Sequence, residues 1–75
     1  MKTLKIDING VYDISEFVNQ AAKVKGDVVV RRGSRSVDAT SLMGMLSLDT
    51  TGGIEVTFPQ EAFEFEIYLS KYKAS

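Results

Sequence analysis

Thr40-Ser41-Leu42-Met43-Gly44-Met45-Leu46-Ser47-Leu48-Asp49 joins a hydroxyl pair to a run of leucine and methionine, and its reading decides the fold. As a helix beginning at Leu42 and capped by Thr40 or Ser41, it makes the second half of the chain repeat the strand-helix-strand order of the first. A hydroxyl at that position accepts a hydrogen bond from a free first-turn N–H, and its replacement by Ala costs about 1 kcal/mol. The same hydroxyl is also a chemical acceptor for phosphate. The leucines and methionines behind it suit either a core or an exposed docking surface.

Working back from this segment, Val28 to Arg32 and Arg35 to Ala39 flank Gly33-Ser34, a two-residue loop whose leading glycine fits a type II′ hairpin turn. That loop sets Arg32 opposite Arg35, Val30 opposite Val37 and Val28 opposite Ala39, so the apolar residues share one face. Arg31, Arg32 and Arg35 are read as solvated at the hairpin tip, in preference to an anion site or an acidic docking point. Further back, Val11, Ile14, Phe17, Val18, Ala21 and Val24 recur at helical spacing, which predicts a helix over 11–25 stopped by Gly26. Before Asn9-Gly10, the alternation of Leu4, Ile6 and Ile8 with Lys5 and Asp7 predicts a strand over 2–8.

Downstream, Gly52-Gly53 precedes Ile54, Val56 and Phe58, which alternate with Glu55 and Thr57 as a strand ended by Pro59. Residues 60–73 fit two patterns. Phe63, Phe65, Ile67 and Leu69 alternate as in a strand, whereas a helical wheel separates Phe63 and Ile67 from Phe65, Leu69 and Tyr72. The sum is an α+β two-layer sandwich, an antiparallel sheet with helices on one face. At 75 residues it is a single domain spanning 1–75.

Composition removes most catalytic chemistry. The chain has no cysteine and no histidine, so thiolate ligands, imidazole ligands and the commonest general base are missing. No catalytic residue, metal site or cofactor is expected. Nine basic and ten acidic residues give a net charge of -1, which favours neither nucleic acid nor an anionic membrane. The N-terminal residues lead directly into an alternating strand, so a cytoplasmic location is expected.

The block Ser41-Leu42-Met43-Gly44-Met45-Leu46-Ser47-Leu48 resembles the regulatory-serine block of the HPr family, the phosphocarrier proteins of the sugar phosphotransferase system. The likeness extends through Phe17-Val18, Ala21, Asp27-Val28, Val37-Asp38 and Gly53-Ile54-Glu55-Val56. It implies an HPr-like open-faced sandwich, β-α-β-β-α-β-α, with a four-stranded antiparallel sheet, and therefore a helix over 60–73. It also exposes a departure. HPr proteins carry phosphate on a histidine in the loop after the first strand, followed closely by an arginine, whereas this chain has Asn9-Gly10-Val11-Tyr12-Asp13 there.

Without any histidine a phosphohistidine relay has no acceptor. A serine ester is too stable to replace it, and the aspartates show no spacing that gathers them around Mg²⁺ for an aspartyl phosphate. By resemblance, Ser41 is then the position of a regulatory phosphate, and Leu42, Met43 and Leu46 form the partner-binding patch. A serine kinase and a catabolite-control transcription factor are the implied protein partners. Two alternatives stand beside this reading: a phosphocarrier acting through another residue, and an interaction module with no phosphorylation. Asp49, where small residues are usual in the family, adds negative charge near the patch.

Overall fold

The computed structural model describes residues 1–50 and 52–73. The elements follow the order β1 (Lys2–Ile6), α1 (Val11–Ala22), β2 (Val29–Arg32), β3 (Arg35–Asp38), α2 (Leu42–Ser47), β4 (Ile54–Phe58) and α3 (Phe63–Ser70). The four strands form one sheet in the order β1-β4-β2-β3, with every neighbouring pair antiparallel. The strand registers line up Leu4 with Val56, Val56 with Val30 and Val30 with Val37, an aliphatic row crossing all four strands. The two central members are fully buried, and Leu4 and Val37 at the edges pack against them. Each such side chain removed from water contributes about 1.5–3 kcal/mol.

All three helices cover this face, adding Ile14, Phe17 and Ala21 from α1, Met45 from α2, and Phe65, Tyr68 and Leu69 from α3 to one core. Phe65 is its aromatic centre, with ring centroids 5.8 Å from Phe17, 5.6 Å from Phe58 and 6.2 Å from Tyr68. The opposite face is open and polar. There Thr3 and Thr57 share a 3.0 Å hydrogen bond, and Glu55 is in register with Lys5 on one side and Arg31 on the other.

The hairpin register is the one read from the sequence, with Arg32 opposite Arg35 and Val30 opposite Val37. Ala39 N–H donates to the Val28 carbonyl at 2.9 Å and extends the pairing beyond the strands. Gly33 has φ of 60° and Ser34 does not have positive φ, which fits a II′ turn and excludes I′. Gly26 has φ of 119°, and a Cβ there would lie 2.9 Å from Pro59 Cγ, so glycine lets the α1–β2 turn pack on the β4–α3 turn.

Element ends depart from the sequence reading for local reasons. β1 stops at Ile6 because the Asp7 N–H turns to the Tyr72 carbonyl at 2.7 Å, while Ile6 bridges Lys73. Ile8 is nevertheless buried. α1 ends at Ala22, three residues short of 25, where Lys23 and Val24 donate to Gln20 and Ala21 and tighten the last turn. Residues 60–73 contain the expected helix only over Phe63–Ser70, because Pro59 to Ala62 form a turn closed by Ala62 N–H to the Pro59 carbonyl at 3.0 Å.

Candidate functional site

α2 is a six-residue helix whose start is fixed by two consecutive turns. Asp38 Oδ1 accepts from the Thr40 N–H at 2.9 Å and from Thr40 Oγ1 at 2.8 Å, and the Asp38 carbonyl accepts from Ser41 N–H at 3.0 Å. The two Thr40 bonds to the carboxylate, the one from its backbone N–H first, hold the Asp38 carboxyl below its ordinary pKa of 3.8 against an opposing effect of burial. Thr40 is thereby committed to Asp38, and Ser41 is the cap. Its Oγ accepts from Gly44 N–H at 3.1 Å while its carbonyl accepts from Met45 N–H at 2.9 Å.

Ser41 itself is exposed. Of the predicted patch, Leu42 is 40% exposed, Met43 80% and Leu46 42%, whereas Met45 and Leu48 are buried in the core. One short helix therefore serves both readings of its leucine and methionine run, anchored from one side and presented from the other. Gly44 lies under the cap: a Cβ there would stand 3.2 Å from Ser41 Oγ and 3.5 Å from the Val37 Cβ. The helix carries no acidic residue in its first turn and no basic residue in its last. The leading N–H groups of such a helix lack intrahelical partners, and its dipole favours an anion at that end.

Val11 and Tyr12, at the start of α1, are both largely exposed and were not singled out as surface residues by the sequence. Val11 shares the helical spacing of Ile14 and Phe17, but it occupies the first turn after Gly10 and stays exposed while they are buried. The only hint was position: they stand where the related carrier loop would lie. α1 packs against α2, so two neighbouring helices both present apolar side chains.

The hairpin arginines are not simply solvated. Arg32 Nη1 donates to the Gly53 carbonyl at 3.1 Å and the Asp49 carbonyl at 3.3 Å, Arg35 Nη1 reaches the Ser47 carbonyl at 3.5 Å, and Arg31 Nε donates to Gly33 at 3.2 Å. Arg32 and Arg35 face each other across the ladder, yet each carries its charge to different carbonyls, and together they tie the hairpin to the α2–β4 connection. Near the core edge, the Tyr68 hydroxyl is buried without a hydrogen-bond partner among the described residues. Burial first, then Tyr72, Glu16 and Asp13, push its pKa well above 10.0. No three His, Cys, Asp or Glu side chains gather as a metal-binding group among the described residues. No described helix is long and apolar enough to cross a membrane.

No curated protein matches the chain. Its structure is similar to "HPr-C-His from Thermoanaerobacter tengcongensis", with a TM-score of 0.79 and 23% identity over 95% of this chain and 92% of that one. It is also similar to a phosphocarrier protein HPr from Bacillus anthracis str. Ames, with a TM-score of 0.70 and 25% identity over 97% of this chain and 94% of that one. The family model for the PTS HPr component phosphorylation site matches residues 13–72, beginning after the Asn9-Gly10 loop and containing every element from α2 onward. The chain belongs to the PTS HPr family.

Proposed function

We propose that the protein is a non-catalytic, cytoplasmic HPr-like regulatory domain, unable to pass phosphate through a histidine, that binds protein partners through α2 and is switched by phosphorylation at Ser41. The observation that carries this reading is the pairing of two facts. The chain has no histidine, and its serine in the family-like block is an exposed helix cap beside the exposed Leu42, Met43 and Leu46.

The chemistry suits a signal better than a relay. Ser41 Oγ attacks the γ-phosphorus of ATP on a serine kinase; the Oγ–P bond forms, the bond to ADP breaks, and the hydroxyl proton leaves to a base of the kinase. The product is a stable ester, so it persists until hydrolysed. It places a charge of about -1.5 to -2 at the start of an uncharged helix, where the N–H groups and dipole accommodate it. A partner that reads the phosphate together with Leu42, Met43 and Leu46, such as a catabolite-control transcription factor, gains one charged and one apolar anchor. Met43 adapts to such a partner because a thioether is flexible and polarizable.

Two incubations test the proposal by mass spectrometry: enzyme I of the phosphotransferase system with phosphoenolpyruvate, and the serine kinase with ATP. The expected result is a gain of about 80 Da, one phosphoryl group, in the second tube alone, lost in Ser41→Ala. A gain in the first tube overturns the non-carrier reading. No gain with the kinase, or a gain that persists in Ser41→Ala, overturns the switch and leaves an interaction module.

A further inference from the structure

The exposed side of α3 is as apolar at its centre as the side facing the sheet. Phe63 is 66% exposed and Ile67 67%, one helical turn apart, while Phe65, Tyr68 and Leu69 fill the core. A surface helix ordinarily sets polar residues opposite its buried stripe. Here the outward stripe is Phe63, Glu64, Ile67, Ser70 and Lys71, all exposed, with Ile67 in the middle. At 100° per residue, Phe63 and Ser70 fall on one flank of Ile67, and Glu64 and Lys71 fall on the other.

We propose that two copies of the chain associate through this stripe, α3 against α3 in antiparallel orientation about a two-fold axis at Ile67. A two-fold axis perpendicular to both helices reverses height and keeps each flank on its own side. Glu64 lies about 4.5 Å before Ile67 along the helix and Lys71 about 6 Å after it, so each Glu64 meets the other copy's Lys71 within about 1.5 Å of the same level. On the opposite flank the same operation sets each Phe63 ring over the other copy's Ser70. The Ser70 hydroxyl is turned back to its own Ile67 carbonyl at 2.6 Å, which leaves a small side chain under the ring. Ile67 meets its own copy on the axis. The stripe is thus complementary to itself in charge and in size, as an isologous contact requires. Neither Glu64 nor Lys71 forms an ion pair within the chain among the described residues, whereas the half-buried Glu66 is held by Lys2 at 2.9 Å.

One eight-residue helix covers less than the ~800 Å² per partner of a standard interface, so the contact is of the small, transient class. α3 packs on β1 and α2 on β3, at opposite edges of the sheet, so pairing leaves both Ser41 surfaces open. The pairing is independent of the function proposed for Ser41.

Sedimentation equilibrium of the full chain from about 10 µM to about 1 mM tests it, with dilution-dependent amide shifts locating the contact. The expected mass rises from one chain toward two, and the shifts concentrate on α3. Ile67→Asp abolishes association with an unchanged circular dichroism spectrum. Glu64→Lys and Lys71→Glu each weaken it about tenfold, since two symmetric attractions become repulsions, and the double swap restores it. A monomer throughout the range overturns the proposal and assigns the stripe to a different partner. So does association that survives Ile67→Asp, or a double swap no better than the single variants.

Discussion

Ser41 is held at the start of α2 by four polar contacts that all involve backbone groups: those of its N–H, its carbonyl, its hydroxyl and the Thr40 turn before it. Only the hydroxyl contact is lost on substitution, so Ser41→Ala lowers stability by about 1 kcal/mol, measured by urea unfolding, while Ser41→Asp retains an acceptor and most of the stability. A variant that unfolds is therefore not the expectation, and Ser41→Ala is a fair control for phosphorylation. Tyr68 is the opposite case. Its hydroxyl is buried with no hydrogen bond of good geometry among the described residues, only the neighbouring Tyr72 hydroxyl, so Tyr68→Phe keeps the ring and raises stability by about 1 kcal/mol. The hydroxyl's pKa is raised on folding, so the folded chain retains a proton that the unfolded chain releases above pH 10.0. The shift therefore leaves stability unaffected below that pH and lowers it progressively as the pH rises beyond it. Unfolding followed from pH 9 to pH 11 is expected to show a steeper alkaline decline for the native sequence than for Tyr68→Phe.

Among the elements, α3 marks where local pattern stops deciding. The alternation over 63–69 puts four apolar residues on one face of a strand, whereas the helix sends Phe65 and Leu69 into the core and Phe63 and Ile67 outward. The two arrangements give different mutational results. Phe65→Ala removes the ring packed on Phe17 and Phe58 and costs about 3–5 kcal/mol, whereas Phe63→Ala changes monomer stability by about 0.5 kcal/mol or less. Urea unfolding at low concentration measures both, and equal losses would fit the strand alternation. The hairpin was legible because Gly33 and a strict two-residue loop fix its register. The roles of its arginines were not, since Arg32 reaches carbonyls at Asp49 and Gly53 that only the closed fold brings near. α2 was legible as a capped helix, but periodicity within six residues could not assign Leu42, Met43 and Leu46 outward and Met45 inward. Resemblance had selected those three for a patch, and their exposure is what a patch needs.

At the scale of the molecule, the sheet separates what the chain presents. In the order β1-β4-β2-β3, α3 is attached at the first strand and α2 at the last. Three strand spacings of about 4.8 Å put those edges about 14 Å apart. One shared core lies between them, and among the described residues no hydrogen bond or ion pair links the two exposed faces. Changes beyond about 10 Å that share no partner add in free energy to within about 0.5 kcal/mol. The stability losses of Ser41→Ala and Ile67→Asp, measured by urea unfolding at a concentration where the chain is monomeric, should therefore sum in the double variant to that tolerance. The same independence predicts that Ile67→Asp leaves the rate of Ser41 phosphorylation unchanged at low protein concentration. It also predicts that Ser41→Asp leaves the self-association constant unchanged in sedimentation. A coupling well above 0.5 kcal/mol would mean that α2 and α3 move together through the core, and that a phosphate at one edge of the sheet is felt at the other.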